Sequence, residues 1–145
     1  MAITGSLDGI GVTGASYEFT VKNLNMIPEE GVIVITVPTG VSVVDNASDF
    51  EWSCESGCNT SPSGVSFDWD SGDRELTITN VFLGGDVDDF KAGQTIIFTI
   101  TGWTNPTDSQ DHDFIVTTKF TLDDATYYDI EIFTGMSISA SEGEC

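Results

Sequence analysis

Basic residues are almost missing from this chain. Twenty-four Asp and Glu face only Lys22, Arg74, Lys91 and Lys119, a formal net charge of −20 over 145 residues. A surface of that sign repels phosphate backbones and anionic headgroups, so the expected partners include neither nucleic acid nor a membrane into which the chain inserts. No apolar run approaches the ~18 residues that span a bilayer as a helix. The opening Met-Ala-Ile-Thr-Gly-Ser lacks the basic region and apolar core of a signal peptide. The expectation is a chain without an anchor or signal of its own, which leaves room for a leader removed from a precursor. No segment sustains a helical period over about ten residues, with one helical turn expected at most, from Asp86 to Ala92. Internal repeats and linkers are also lacking.

Histidine is reduced to one, His112, inside Asp108-Ser109-Gln110-Asp111-His112-Asp113. A histidine between acids can act as an oriented base, but Asp and Ser at adjacent positions are what any polar turn contains, and an exposed turn histidine is the expectation. No Gly-x-Ser-x-Gly elbow, phosphate-binding Gly-Lys-Thr loop or His-Glu-x-x-His helix occurs. With so many acids, carboxylate pairs at the spacing used in glycoside hydrolysis arise by abundance alone. No catalytic residues are assigned, and the chain does not read as an enzyme.

What is present describes a β protein. A chain of this length buries roughly two-thirds of its unfolded surface without crosslinks. Its nine Phe, three Trp and three Tyr argue against disorder, although the hydrophobic share is 39%. The stretch from Ile27 to Pro38 is a β-branched run between a Pro-Glu-Glu-Gly corner and a second proline, a strand punctuated at both ends. Tyr17, Phe19 and Val21 alternate with polar residues, as do Val65, Phe67 and Trp69. Asp70-Ser71-Gly72-Asp73 turns the chain into Glu75 to Thr79. Gln94 to Gly102 is the longest alternating run. Further strands are expected at Leu7 to Val12 (irregular, at an edge), Val41 to Val44, Asp49 to Ser53, Asp113 to Phe120, Tyr127 to Phe133 and from Met136 to Ala140. About nine to eleven short strands, most with one polar face, predict an all-β fold, an antiparallel sandwich of two sheets. It spans one domain, residues 1–140, with a polar tail at 141–145. Ile33, Ile35 and Val37 are the inward set of their strand. Val32 and Val34 on the other face predict that this strand is covered on both sides, by a loop, by glycan or by a neighbouring subunit.

Several residues are candidates for binding or modification. Cys54 and Cys58 enclose Glu55-Ser56-Gly57, a loop small enough for a local disulfide. Pairing with Cys145 or metal ligation are the alternatives, the latter short of the four ligands that zinc takes. Asn46-Ala47-Ser48 and Asn59-Thr60-Ser61 are sequons in loops, placing N-linked glycans on Asn46 and Asn59. Ser- and Thr-rich stretches such as Asn59 to Ser66 are candidates for O-linked sugar. Asp68, Asp70, Asp73 and Glu75 form an acidic turn, and Asp86, Asp88 and Asp89 a second cluster. Asp108, Asp111 and Asp113 form a third, and Asp123 and Asp124 a fourth. Such turns attract Ca2+, but their spacing departs from the helix-loop-helix calcium loop, and solvated acidic turns are the simpler reading. No cofactor is required by any of this. Trp52 and Tyr127, with Tyr128, are candidates to stack on sugar rings; Trp69 and Trp103 continue inward faces and are expected in the core.

Two stretches carry a family resemblance. Ile27-Pro28-Glu29-Glu30-Gly31 followed by Val32 to Pro38, and Ala92-Gly93-Gln94 through Gly102-Trp103-Thr104-Asn105-Pro106, resemble the two hallmark elements of Ig-like β-sandwich modules in microbial surface and extracellular proteins. The resemblance spans roughly Leu7 to Ala140, and its motifs belong to the scaffold. It implies an extracellular or cell-surface module of stalks, adhesins or filaments, glycosylated and without enzymatic activity. Such a unit could assemble with copies of itself, as in glycan-coated fibrils. In that reading the segment 1–12 or the strand from Met136 pairs with a neighbour's sheet edge. The alternative is a carbohydrate-binding or adhesion module, monomeric or in tandem.

Overall fold

In the computed structural model, the structure describes residues 2–5, 11, 13–22, 31–43, 51–56, 65–79, 81, 95–108, 110–121 and 127–138. Ten strands occur among them: β1 (Ala2–Gly5), β2 (Thr13–Lys22), β3 (Val32–Thr36), β4 (Ser42–Val43), β5 (Glu51–Ser56), β6 (Ser66–Asp70), β7 (Glu75–Thr79), β8 (Thr95–Thr104), β9 (His112–Thr121) and β10 (Tyr127–Ile138).

They form two five-stranded antiparallel sheets. The first runs β1-β2-β8, with β4 and β5 both paired along the far side of β8; the second runs β10-β9-β3-β7-β6. This is the expected Ig-like sandwich. The alternation in the sequence does what a period of two requires, sending every second residue into the space between the sheets. From the first sheet come Tyr17, Phe19, Val21, Ile96, Phe98, Ile100 and Trp103. From the second come Ile33, Ile35, Leu76, Ile78, Phe114 and Val116, all fully buried. Each such side chain is worth roughly 1.5–3 kcal/mol relative to exposure, before the entropy of ordering the chain is subtracted.

The rings interlock across the two layers. Tyr17 stacks on Trp103 with centroids 5.4 Å apart, and Phe19 on Phe98 at 5.2 Å. Phe114, from the opposite sheet, meets Tyr17, Phe19 and Trp103 edge-on at 5.7, 5.6 and 5.9 Å. Trp103 thus lies in the core as expected, and its indole Nε1 donates to the Ile100 carbonyl at 2.9 Å. Trp69 is half-buried and packs against the core cluster from its margin.

β3 is buried on both faces. Val32 and Val34 are 3% and 5% exposed while Ile33 and Ile35 are fully buried. A single chain therefore covers this strand, and neither a glycan nor a second subunit is needed to do so.

Most strand boundaries differ from the sequence expectation by a few residues, as at β5, which runs to Ser56 and not Ser53; three places differ more. β8 continues past Gly102 to Thr104. At that point Ala15 faces Trp103 and Ser16 faces Thr101, so Gly102 has no opposite number, and Gly14 is skipped in the same way on β2. Both glycines have positive φ, 130° and 70°, the backbone that lets a strand bulge and continue. The pieces read as Tyr127 to Phe133 and Met136 to Ala140 are one strand through Ile138, with a register shift between Phe133 and Met136. Of the strand expected at Leu7 to Val12 the structure describes Gly11 alone, in a turn, and the rest lies outside the described residues; the segment that pairs with β2 is Ala2–Gly5. The helical turn at Asp86 to Ala92 and the tail at 141–145 lie outside the described residues.

Candidate functional site: sheet edges and the acidic pole

The β6–β7 hairpin shows how the first acidic turn is used. Asp70 faces Glu75 across the turn, and Asp70 Oδ1 accepts from the backbone N–H groups of Gly72 (2.9 Å) and Asp73 (3.2 Å). This carboxylate serves as a turn cap, the local role that Asp fills better than longer acids. Asp68, Asp70 and Asp73 are exposed and Glu75 is half-buried.

Next in the turn stands Arg74, with φ 54°. Its Nε donates to the Val37 carbonyl at 3.1 Å and its Nη2 to the carbonyls of Pro38 (2.9 Å) and Val41. The Val37 N–H donates to the Arg74 carbonyl at 2.9 Å, and the guanidinium lies 5.7 Å from the Trp69 ring centroid. One side chain therefore satisfies three carbonyls of the β3–β4 connection, a task suited to the fixed fork of a guanidinium. The acidic turn thus contains its own cation. Among the described residues no group of three or more His, Cys, Asp or Glu side chains is placed to hold a metal. Asp86, Asp88, Asp89, Asp123 and Asp124 lie outside them.

The same β3–β4 connection meets His112. A Cβ at Gly40 would fall on the imidazole ring, 2.9 Å from Nε2 and closer still to Cε1 and Nδ1. The ring also bonds Asp108 Oδ1 through Nε2 at 2.8 Å, and Gln110 N–H donates to the same oxygen at 3.0 Å. These contacts, the His112 bond first, hold the Asp108 carboxyl below its usual range. The His112 side chain is only 14% exposed. It is not the exposed turn histidine expected from sequence: it packs one connection against another, and its nitrogen is engaged by a carboxylate at the surface. Asp111 and Asp113 are exposed beside it.

Behind this pole, the Asn-Pro element is tied to β2. Asn105, 3% exposed, accepts from the Tyr17 hydroxyl at 2.6 Å, and the Pro106 carbonyl accepts from Gly11 N–H at 3.0 Å. Burial raises the Tyr17 pKa, so the phenol stays a donor.

The edges of the two sheets differ in charge. β5 carries Glu51 and Glu55, β6 carries Asp68 and Asp70, and β10 carries Asp129 and Glu131. Asp129 pairs with Lys119 on β9 at 3.5 Å. β10 also exposes Tyr128 and Ile132, at 47% and 57%. Tyr128 lies beside Phe120, with centroids 5.6 Å apart. β1 carries no charged residue.

Of the other candidates, Trp52 and Cys54 are positions on β5 opposite Ile100 and Phe98, and Tyr127 is opposite Thr121 on β9. Their side chains, and Cys58, Asn46, Asn59 and Cys145, lie outside the described residues. Sequence reasoning missed Arg74 as a clamp; a lone cation inside an acidic turn was the available signal.

No protein-family model matches the chain, and no curated protein is similar to it. Solved structures are. The collagen-binding subdomain of the Enterococcus faecalis surface protein ACE is 14% identical, with 94% of each chain covered and a TM-score of 0.52. Domains D2 and D3 of the major pilin SpaD of Corynebacterium diphtheriae are 10% identical over 92% of this chain and 50% of that one, TM-score 0.50. The Bacillus cereus major pilin subunit BcpA is 12% identical over 94% of this chain and 39% of that one, TM-score 0.50. The chain thus spans half or less of the pilin structures it resembles. At these identities the likeness concerns the fold, and the fold is the Ig-like sandwich.

Proposed function

We propose that this chain is a non-catalytic structural module of an extracellular or cell-surface filament, joined copy to copy by non-covalent contacts. The observation that carries the reading is the shared sandwich of two major pilins over more than nine-tenths of this chain. The chemistry-bearing side chains agree with it. Asp70, Arg74, Asp108 and His112 are engaged in holding turns and connections in place. The net charge of −20 keeps separate units soluble and opposes their association, so contacts between copies strengthen as salt or divalent cations screen the surface. N-linked glycans on Asn46 and Asn59 belong to the same reading.

A second reading, an adhesion or carbohydrate-binding module, is favoured by the exposed Tyr128 ring beside Phe120 and by the likeness to a collagen-binding subdomain. Rings of that kind stack on sugars and other flat ligands. Negative-stain microscopy of the native protein separates the two. Uniform fibres support the structural reading. Isolated particles that bind a polysaccharide or collagen surface, and lose binding on Tyr128→Ala, replace it with the second.

A further inference from the structure

We propose that β1 is an exchange strand. In the assembly, Ala2–Gly5 of one copy takes on the β2 of a neighbouring copy the place that it holds here on its own. This rests on the structural reading above and names the contact through which copies join.

Charge selects β1 among the edges. An edge strand offers unpaired main-chain groups to any incoming strand, and inward or flanking charges are the usual guard. β5, β6 and β10 each carry two carboxylates, and β4 has only two residues. β1 is neutral, and the first acid that follows it is Asp8. In a chain at −20 it is the strand that meets a second copy at least electrostatic cost.

Its seat is already shaped for a strand. β1 pairs antiparallel with β2 from Ala2 opposite Thr20 to Gly5 opposite Tyr17, and it comes close to β10 of the second sheet without pairing with it. Ile3, opposite Phe19, is its one described apolar contribution; it is half-buried against the core cluster, whereas Phe19 itself is fully buried. The seat is thus the open edge of β2 close to β10, and any copy's Ala-Ile-Thr-Gly fits it equally. Main-chain bonds and one apolar side chain are what strand addition uses.

The connection also suits release. Gly11 N–H is bonded to the Pro106 carbonyl, which fixes the chain just ahead of β2. Only residues 6–10 separate β1 from that anchor, a span of at most about 20 Å when extended. β1 can leave without unpairing β2 from β8. Exchange that does not close on itself gives a chain of copies, and reciprocal exchange gives a dimer.

The test places cysteines at the register partners Thr4 and Glu18, whose separation across an antiparallel pair lies within disulfide range. The doubly substituted chain, T4C with E18C, is assembled, oxidised and run on a denaturing non-reducing gel beside each single variant. The expected result is a ladder that replaces most of the monomer band in the double variant alone. Fibres whose chains run as monomers overturn the exchange while leaving the assembly reading intact. A covalent product that stops at the dimer supports exchange and overturns the filament. If neither the variant nor the unsubstituted chain assembles, the assembly reading fails and the proposal with it. Should the double variant alone fail to assemble, a mixture of T4C and E18C chains reads the same contact: covalent dimers support exchange, and monomers only overturn it.

Discussion

The hydroxyl of Tyr17 donates to Oδ1 of Asn105 at 2.6 Å, across 88 positions of sequence, and both residues are buried. Tyr17→Phe keeps the ring stack on Trp103 and removes only this bond, so a loss of about 1–2 kcal/mol is expected. Asn105→Ala strands the hydroxyl in the core and should cost more, roughly 2–4 kcal/mol. The pH dependence has a definite sign. Burial raises the Tyr17 pKa, so its contribution is full below the ordinary tyrosine value near 10 and is lost as pH rises beyond it. Urea melts between about pH 8 and 11 should show a flatter alkaline decline in Tyr17→Phe.

Gly40 and His112 form a steric pair. Gly40→Ala places a methyl group on the imidazole and should cost about 1–3 kcal/mol. In a His112→Ala background the same change should cost less than about 0.5 kcal/mol. A double-mutant cycle from denaturant melts measures the difference; equal costs in both backgrounds would separate the two residues.

Arg74 binds three carbonyls of one connection. Arg74→Lys keeps the charge but not the fork, and should lose nearly as much as Arg74→Ala, roughly 2–4 kcal/mol. Thermal melts of the two variants decide this; a lysine variant close to wild type would mean that charge alone matters.

The Asp108 carboxyl is held below its usual range by His112 and by the Gln110 N–H. A depressed carboxyl stabilises the fold above its unfolded value, near 3.9, and that contribution disappears as pH falls through the folded one. Asp108→Asn should therefore be less stable than wild type at neutral pH and lose less on acidification. Acid titrations followed by circular dichroism check both halves.

The parts of this structure that were legible in the sequence are those in which neighbours along the chain settle the outcome. The bounds of β7, Glu75 to Thr79, match the expectation, because Leu76 and Ile78 alternate with threonine behind a clear turn. Val32 and Val34 announced a strand buried on both sides. The misreadings have physical causes. Gln94 to Gly102 reads as ending at its glycine, and Tyr127 to Phe133 as ending before Met136, whereas β8 bulges at Gly102 and β10 shifts register between Phe133 and Met136. His112 and Arg74 act through partners that the fold, not the local sequence, brings near: Gly40, and the carbonyls of Val37, Pro38 and Val41. Which strands lie at the sheet edges, β1 among them, likewise depends on a strand order that no local pattern encodes.

In the proposed assembly, copies of this module join through contacts that their charge opposes. Sedimentation velocity of the chain across a series of NaCl concentrations tests it most directly, since screening shortens the Debye length from about 30 Å at 0.01 M to about 3 Å at 1 M. Species that grow in size as salt rises are the expected result. A single 15.5 kDa particle at every salt and protein concentration would contradict it.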